Sequence, residues 1–180
     1  MDNDEEPNDA DLLYAWRGGD GDAGHQLCSR HYAALTRFFD NKLSEDADDL
    51  VQESFAACVQ GRDRIEGGFR AYLFGIAYIR FKRHLRRRYR IPEDEIPSRL
   101  LCDSDPGPST MCRRSEERRR LLMALRQLPI PMQTALELKY WEEMKSPEIA
   151  RVLGVEPPTV RSYIHRGGLL LKKIVTERDL

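Results

Sequence analysis

Apolar residues along this chain recur at intervals of three and four, and nowhere over a useful length at intervals of two. The pattern predicts helices and essentially no sheet. Leu12, Leu13 and Trp16, then Leu27, His31, Leu35 and Phe38, mark one or two amphipathic helices interrupted by the glycine-bearing stretch 18–24. Ser44 is the expected cap of the next helix. There Ala47, Leu50, Val51, Phe55, Cys58 and Val59 form one apolar stripe, opposed by Glu45, Asp48, Asp49, Gln52 and Glu53. After a polar loop over 61–68, a long helix carries Phe69, Tyr72, Leu73, Ile76, Ala77, Phe81 and Leu85 on its inner side.

From Ile91 to about Ser115 the periodicity stops. Pro92, Pro97, Pro106, Gly107 and Pro108 lie there among serines and acids, the composition of an extended linker. Helical spacing resumes at Glu116, where Leu121, Leu122, Leu125 and Leu128 form a stripe that ends at Pro129 and Pro131, and a further helix is expected over about 132–141. Residues 147–164 then have the spacing of a helix-turn-helix. Ile149, Leu153, Val155, Val160 and Tyr163 bury one face, Ala150 is small where the two helices would cross, and Gly154 supplies the left-handed residue that ends the first helix. Ser146 is the expected N-cap with Pro147 at the first helical position, and Pro157 and Pro158 restart the chain as a second helix, since proline lacks only an amide proton that a first turn leaves unused. That second helix turns Thr159, Arg161, Ser162, His165 and Arg166 outward, a donor-rich set suited to base edges and phosphates in a major groove. A helical hairpin packed inside some other all-helical protein gives the same spacing.

The fold class expected is therefore all-α: two small helical domains joined by an extended linker, the C-terminal one containing the helix-turn-helix. The boundaries are an acidic disordered tail over 1–8, an N-terminal domain over 9–90, a flexible proline-rich linker over 91–115 and a C-terminal domain over 116–176. A length of 180 residues accommodates two such units. With 33% charged residues, no long apolar run and an acidic N-terminus, the chain is expected to be cytoplasmic, without signal peptide or membrane insertion. Cys28, Cys58, Cys102 and Cys112 lack zinc-knuckle spacing and are expected to be reduced thiols. His25, Cys28 and His31 could crowd one helical face but lack a fourth ligand, so ordinary packing is expected there and no metal or cofactor.

The net charge of -1 hides strong segregation. Arg80, Lys82, Arg83, Arg86, Arg87, Arg88 and Arg90 follow one another with no acid among them, whereas acids crowd residues 2–11 and 45–53. Phe74 and Tyr78 lie four residues apart beside the basic row. Rings next to cations suit single-stranded nucleic acid, because rings stack on unpaired bases while cations follow the phosphates. The same two rings could instead pack against the helices of residues 12–39. The acidic face at 45–53 is either solvated or a dock for a basic protein surface. Carboxylates there have no matching histidine or nucleophile, and no phosphate-binding glycine loop, zinc-protease helix or nucleophile elbow occurs, so no enzyme activity is expected.

The order of these parts resembles a bacterial RNA polymerase sigma factor of the extracytoplasmic-function (ECF) group. The resemblance covers about 11–174. It is strongest at Asp48-Asp-Leu-Val-Gln-Glu-Ser-Phe55, at Phe69-Arg-Ala-Tyr-Leu-Phe-Gly-Ile-Ala77, and at Leu128-Pro leading into Glu148-Ile-Ala150 and Thr159-Val-Arg-Ser162. It implies a first domain that binds core RNA polymerase and opens the minus-ten promoter element, and a last domain that reads the minus-thirty-five element as duplex. Carried over by position, Asp48, Asp49, Gln52 and Glu53 would face the polymerase. Arg62, Arg64, Phe74, Tyr78 and Arg83 would lie near the melted strand, with Arg80, Lys82, Arg86 and Arg87 in the same minus-ten region. Thr159, Arg161, Ser162, His165 and Arg166 would enter the upstream groove.

The implied partners are core RNA polymerase and promoter DNA, with an anti-sigma protein as a further candidate. The chain departs from the family pattern at Ile79, where many members have asparagine, at Gly75, where arginine is common, and in a short loop before Phe69. Gly167-Gly168 replaces the usual Ala-Arg, which predicts a kink or an early helix end. The expected function is promoter-specific transcription initiation and its regulation. A dimeric helix-turn-helix regulator acting without polymerase is the alternative, and a nucleic-acid-processing enzyme with a carboxylate cluster is a more distant one.

Overall fold

The structure is a computed structural model that describes residues 6–90 and 116–178. Of the expected tail only residues 6–8 are described, and they are not helical; the expected linker, with Cys102 and Cys112, lies outside the described residues. Among the described residues every long element is a helix, as the threefold and fourfold spacing requires.

In the first group, α1 (Asp9–Arg17) starts at Asn8, whose side-chain oxygen accepts from the amides of Ala10 and Asp11 at 2.9 and 3.1 Å. Helix α2 (Gly21–Asp40) starts the same way on Asp20. Gly24 lies inside α2 because the Trp16 ring crosses it there, where an added Cβ would come within 2.4 Å of the indole. Helix α3 (Ala47–Gly61) begins two residues later than a Ser44 cap would place it. Its N-cap is Asp46, in a left-handed conformation with φ of 63° and no side-chain cap bond. A 3-10 turn over Arg62–Arg64 leads to α4 (Phe69–Tyr89), the central helix. Leu27, Leu35, Phe39, Leu73, Phe74 and Phe81 are fully buried between these helices, and Phe38 meets Phe74 and Phe81 edge-on at 5.6 and 6.4 Å.

The second group comprises α5 (Glu116–Leu125), α6 (Ile130–Tyr140), α7 (Ser146–Leu153) and α8 (Pro157–Arg178). Leu122, Leu125, Leu128 and Leu136 form its inner cluster, with Ile164, Leu171 and Ile174 of α8 against it. Ser146 is the first residue of α7 and not its cap. The cap is Lys145, whose amide donates to Glu148 Oε2 at 2.8 Å. Gly154 takes the left-handed conformation the spacing demanded, with φ of 68°.

The early end expected at Gly167-Gly168 does not occur, since α8 runs unbroken to Arg178. Gly167 is where α6 crosses α8. A Cβ there would lie 3.1 Å from Leu136 Cδ1 and 3.3 Å from Met132 Cβ, so the helix propensity lost is the condition for a close crossing.

The two groups are docked, which no local spacing announced. Ile149, Ala150, Val152 and Val160 join the same apolar core as Phe69, Leu73, Phe74 and Ala77. Around this contact lie polar links between distant residues. The buried Lys42 ammonium donates to Glu137 and to the Phe38 carbonyl at 3.2 Å, and Glu137 also accepts from Gln133 at 2.9 Å. Buried Arg126 donates to the carbonyls of Asn41 and Asp40 at 2.7 and 3.3 Å, satisfying the C-terminal end of α2. Arg37 pairs with Glu142, Arg70 reaches the Glu142 carbonyl and Glu148, and Arg151 donates to the Gly67 carbonyl at 2.8 Å.

Candidate nucleic-acid interface

Helix α8 presents two unlike sides at its N-terminal half. Val160, Tyr163, Ile164 and Gly167 face inward at helical spacing, and Val160 is fully buried. The opposite side carries Arg161, His165 and Arg166, all exposed, with Thr159 and Ser162 half-buried beside them. These five are the residues expected in the upstream groove. They share one accessible face, held rigid by α6 and α7 behind it. Their hydroxyls, guanidinium groups and imidazole supply donors, and no acid stands within α8 before Glu177.

The basic row of α4 is only partly open. Arg83 and Arg87 are exposed, and Lys82 lies over the Tyr78 ring at 5.4 Å. Arg80 instead pairs with Glu53, and Arg88 lies near Glu45 and Asp46 at 3.6 and 3.9 Å. Acids of α3 and of the turn that precedes it therefore oppose part of a row that looks unopposed in sequence. Arg86 is half-buried among these groups. His84 sits 3.9 Å from Asp46; burial together with the charges of Arg88 and Arg87 holds its imidazole below the usual range, against the pull of Asp46 and Glu53.

Phe74 and Tyr78 do not face solvent. Phe74 is fully buried against Phe38, one of the two placements left open by the sequence, and Tyr78 is 5% exposed. Burial, assisted by Tyr163 of α8, pushes the Tyr78 phenol up to about 12. In this arrangement neither ring can stack on a base. Arg62 and Arg64 stand on the 3-10 turn between α3 and α4. Arg17 fixes that turn by donating to the carbonyls of Arg62 and Ile65, and the Arg62 guanidinium lies 6.0 Å from the Trp16 ring centroid.

Asp48, Asp49, Gln52 and Glu53 form one exposed ridge on α3. Beside it lies a surface the sequence reading missed. Tyr32 and Phe55 stack with ring centroids 6.0 Å apart, and Tyr32 and Val59 are each about half exposed. An acidic ridge flanked by apolar surface suits a basic amphipathic partner. The sequence had placed Phe55 and Val59 on the buried stripe of α3, but Phe55 is only partly buried and Val59 faces solvent, and Tyr32 stood on the polar side of the α2 stripe.

His25, Cys28 and His31 do not form a ligand set. His31 Nε2 is 2.6 Å from Asp9 Oδ2, and its ring packs on Phe69. Burial raises both the Cys28 and the Cys58 thiols, the latter to about 12. Among the described residues no helix is long and apolar enough to cross a membrane.

Two family models match the chain in order: Sigma-70 region 2 over residues 27–91, and Sigma-70, region 4 over residues 118–168. The ECF RNA polymerase sigma factor SigE of Mycolicibacterium smegmatis is 33% identical over 157 residues, 86% of this chain and 60% of that relative. RNA polymerase sigma factor CarQ of Myxococcus xanthus is 30% identical over 175 residues, 92% of this chain and 96% of that relative. Among solved structures, CnrH in complex with the cytosolic domain of CnrY shares the fold with a TM-score of 0.72 at 23% identity, over 94% of this chain and 97% of that one. Sigma factor RpoE of Bartonella quintana, in complex with the anti-sigma factor NepR, aligns with a TM-score of 0.67 at 20% identity over 84% of this chain and 96% of that one.

Proposed function

The chain belongs to the extracytoplasmic-function group of bacterial RNA polymerase sigma factors, and from that membership we propose a division of labour between its two helical groups. It binds core RNA polymerase and directs promoter-specific initiation, with no chemistry of its own. The units are the N-terminal domain over 9–90 and the C-terminal domain over 116–176, joined by the linker over 91–115. The ridge of Asp48, Asp49, Gln52 and Glu53 docks on the polymerase. The C-terminal domain holds duplex DNA upstream, with Thr159, Arg161, Ser162, His165 and Arg166 toward the major groove. Residues Arg62, Arg64, Arg80, Lys82, Arg83, Arg86 and Arg87 serve the melted strand, with Phe74 and Tyr78 packed behind them as support. Strand separation follows from preferring unpaired over paired bases, since a ligand shifts an equilibrium only by its difference in affinity for the two states.

The observation that carries this reading is the succession of both sigma regions along one chain, the second with its basic recognition face exposed. The dimeric regulator reading gives residues 27–91 no role. The work is done in the cytoplasm, where the polymerase is. An anti-sigma protein is a candidate partner, since CnrH and RpoE were each solved with a bound partner chain.

The test is a pull-down with purified core polymerase. The wild-type chain is expected to bind stoichiometrically. Asp49→Ala with Glu53→Ala is expected to weaken binding at least about tenfold, or about 1.4 kcal/mol, with the circular dichroism unchanged. Equal binding by wild type and the double variant would remove the ridge from the interface.

A further inference from the structure

With Phe74 and Tyr78 turned inward, the side chains of α4 that can meet an unpaired base stand on its outer side. Tyr72, Gly75, Ile79, Arg83 and Arg86 follow one another there at three and four positions, opposite the buried line of Phe74, Ala77, Tyr78 and Phe81. Tyr72 is half-buried, with its hydroxyl turned to Gly61 at the end of α3, and Gly75 has no side chain to offer. Among the described residues of α4, Ile79 is then the one large apolar side chain that faces water. It is 56% exposed and has Lys82, Arg83 and Arg86 within two turns of it.

Folding alone gives little reason for isoleucine at this position. A β-branched side chain loses more rotamer freedom in a helix than the lysine and arginines around it, and at this exposure it recovers only part of the gain from apolar burial. The acids near α4 meet other cations: Glu53 pairs with Arg80, and Glu45 and Asp46 lie near Arg88. The outer line therefore offers a strand cations for its phosphates and one branched aliphatic group for its bases.

An aliphatic side chain neither donates nor accepts a hydrogen bond, and it has no π face on which a base could stack. The base feature it can distinguish is an apolar one. Among the four bases of DNA only thymine carries such a group, its 5-methyl.

We propose that Ile79 is a specificity-determining residue of α4 that packs on the methyl of an unpaired thymine, while Lys82 and Arg83 hold the adjoining phosphates. The inference rests on the division of labour given above, in which this helix serves the melted strand. Taking one methyl fully out of water corresponds to an affinity ratio of about fourfold, or about 0.8 kcal/mol. A preference for thymine at a single position is thus the effect to measure.

The experiment uses the full-length chain and two single strands that differ only in that methyl, oligothymidine and oligodeoxyuridine of about 20 nucleotides, with binding read by fluorescence anisotropy at low salt. The quantity compared is the ratio of the two affinities. Ile79→Asn, which changes no charge, is expected to lower the ratio about two- to fourfold by weakening thymidine binding alone. Ile79→Val keeps a branched aliphatic group and should retain the wild-type ratio. Arg83→Ala should weaken both strands alike and leave the ratio where it was.

A ratio that is the same in wild type and Ile79→Asn overturns the inference. So does an equal loss on both strands in that variant, because it marks a contact made without regard to the base. Either result leaves the division of labour standing. Failure of the wild-type chain to bind either strand removes the strand-holding role of α4 and this inference with it, and failure of the pull-down with core polymerase removes the division of labour itself.

Discussion

Removing either partner of the Lys42–Glu137 pair should cost far more than removing both. Lys42 is fully buried and Glu137 is 3% exposed, and their other contacts are few: the Phe38 carbonyl and ring for the ammonium, Gln133 for the carboxylate. Lys42→Met leaves a buried carboxylate with one neutral donor, and Glu137→Leu leaves a buried ammonium over a ring. Each truncation carries a local penalty of about 3 to 5 kcal/mol. The double variant keeps similar volume and places a thioether against Phe38, and is expected to range from neutral to about 4 kcal/mol more stable.

One feature of the architecture limits the observed loss. The pair joins two helical groups that can separate, so a single variant can undock and rehydrate its charge, and the measured destabilisation cannot exceed the free energy of docking. Urea unfolding followed by circular dichroism, run as a double-mutant cycle with scattering on each variant, separates the cases. A loss of about 3 kcal/mol or more with unchanged dimensions indicates tight docking, whereas a smaller loss with expansion measures a shallow one. Single variants that each lose less than about 0.5 kcal/mol and stay compact would refute the burial of this pair in solution.

Three further outcomes are expected. Gly168→Ala places its methyl in open space and should stabilise the chain by about 1 kcal/mol through helix propensity, seen as a higher Tm. Gly167→Ala should gain less, because its methyl meets Leu136 and Met132; equal gains at both sites would contradict the close crossing.

The Asp9 carboxyl is raised by burial, but hydrogen bonds from Arg30 and His31 and their charges together hold it below its ordinary value of 3.8. Its contribution to stability is therefore complete above that value and disappears as the pH falls through the lower folded-state value. Asp9→Asn should accordingly be less stable than wild type at pH 6 and match it in strong acid, and a gap that persists in acid would contradict the assignment. Arg161→Ala should weaken duplex binding and lower the salt slope by about one if its contact is to phosphate; an unchanged affinity and slope would exclude Arg161 from the groove.

Much of this fold follows from spacing that is local to each helix. Gly154, Pro157 and the stripe through Ile149 and Val160 mark the helix-turn-helix because turn, restart and inner face all lie within one short segment. What spacing does not carry is contact between distant segments. Lys42 and Glu137 are 95 positions apart, and Arg126 and Asn41 are 85 apart, so four polar residues that read as surface are interior.

Phe74 is hidden within its own helical group, against Phe38 of α2, and Tyr78 is buried as well, so of the two placements their four-residue spacing allowed, packing is the one adopted. Arg80 seemed unopposed because Glu53 stands 27 positions away, on the neighbouring helix. At Gly167 the propensity of glycine argued for a helix end, and the crossing of α6 overrode it. Ser44 looked like a cap by residue type, but the backbone turns at Asp46.

The most direct test of the account is transcription in vitro with purified core polymerase on fragmented genomic DNA, with and without this chain, reading the start sites by sequencing the transcripts. Discrete new starts, sharing one element about ten and another about thirty-five positions upstream, are expected only when the chain is present, and Arg161→Ala should reduce them. Starts that are the same with and without the chain would contradict the claim that it directs initiation.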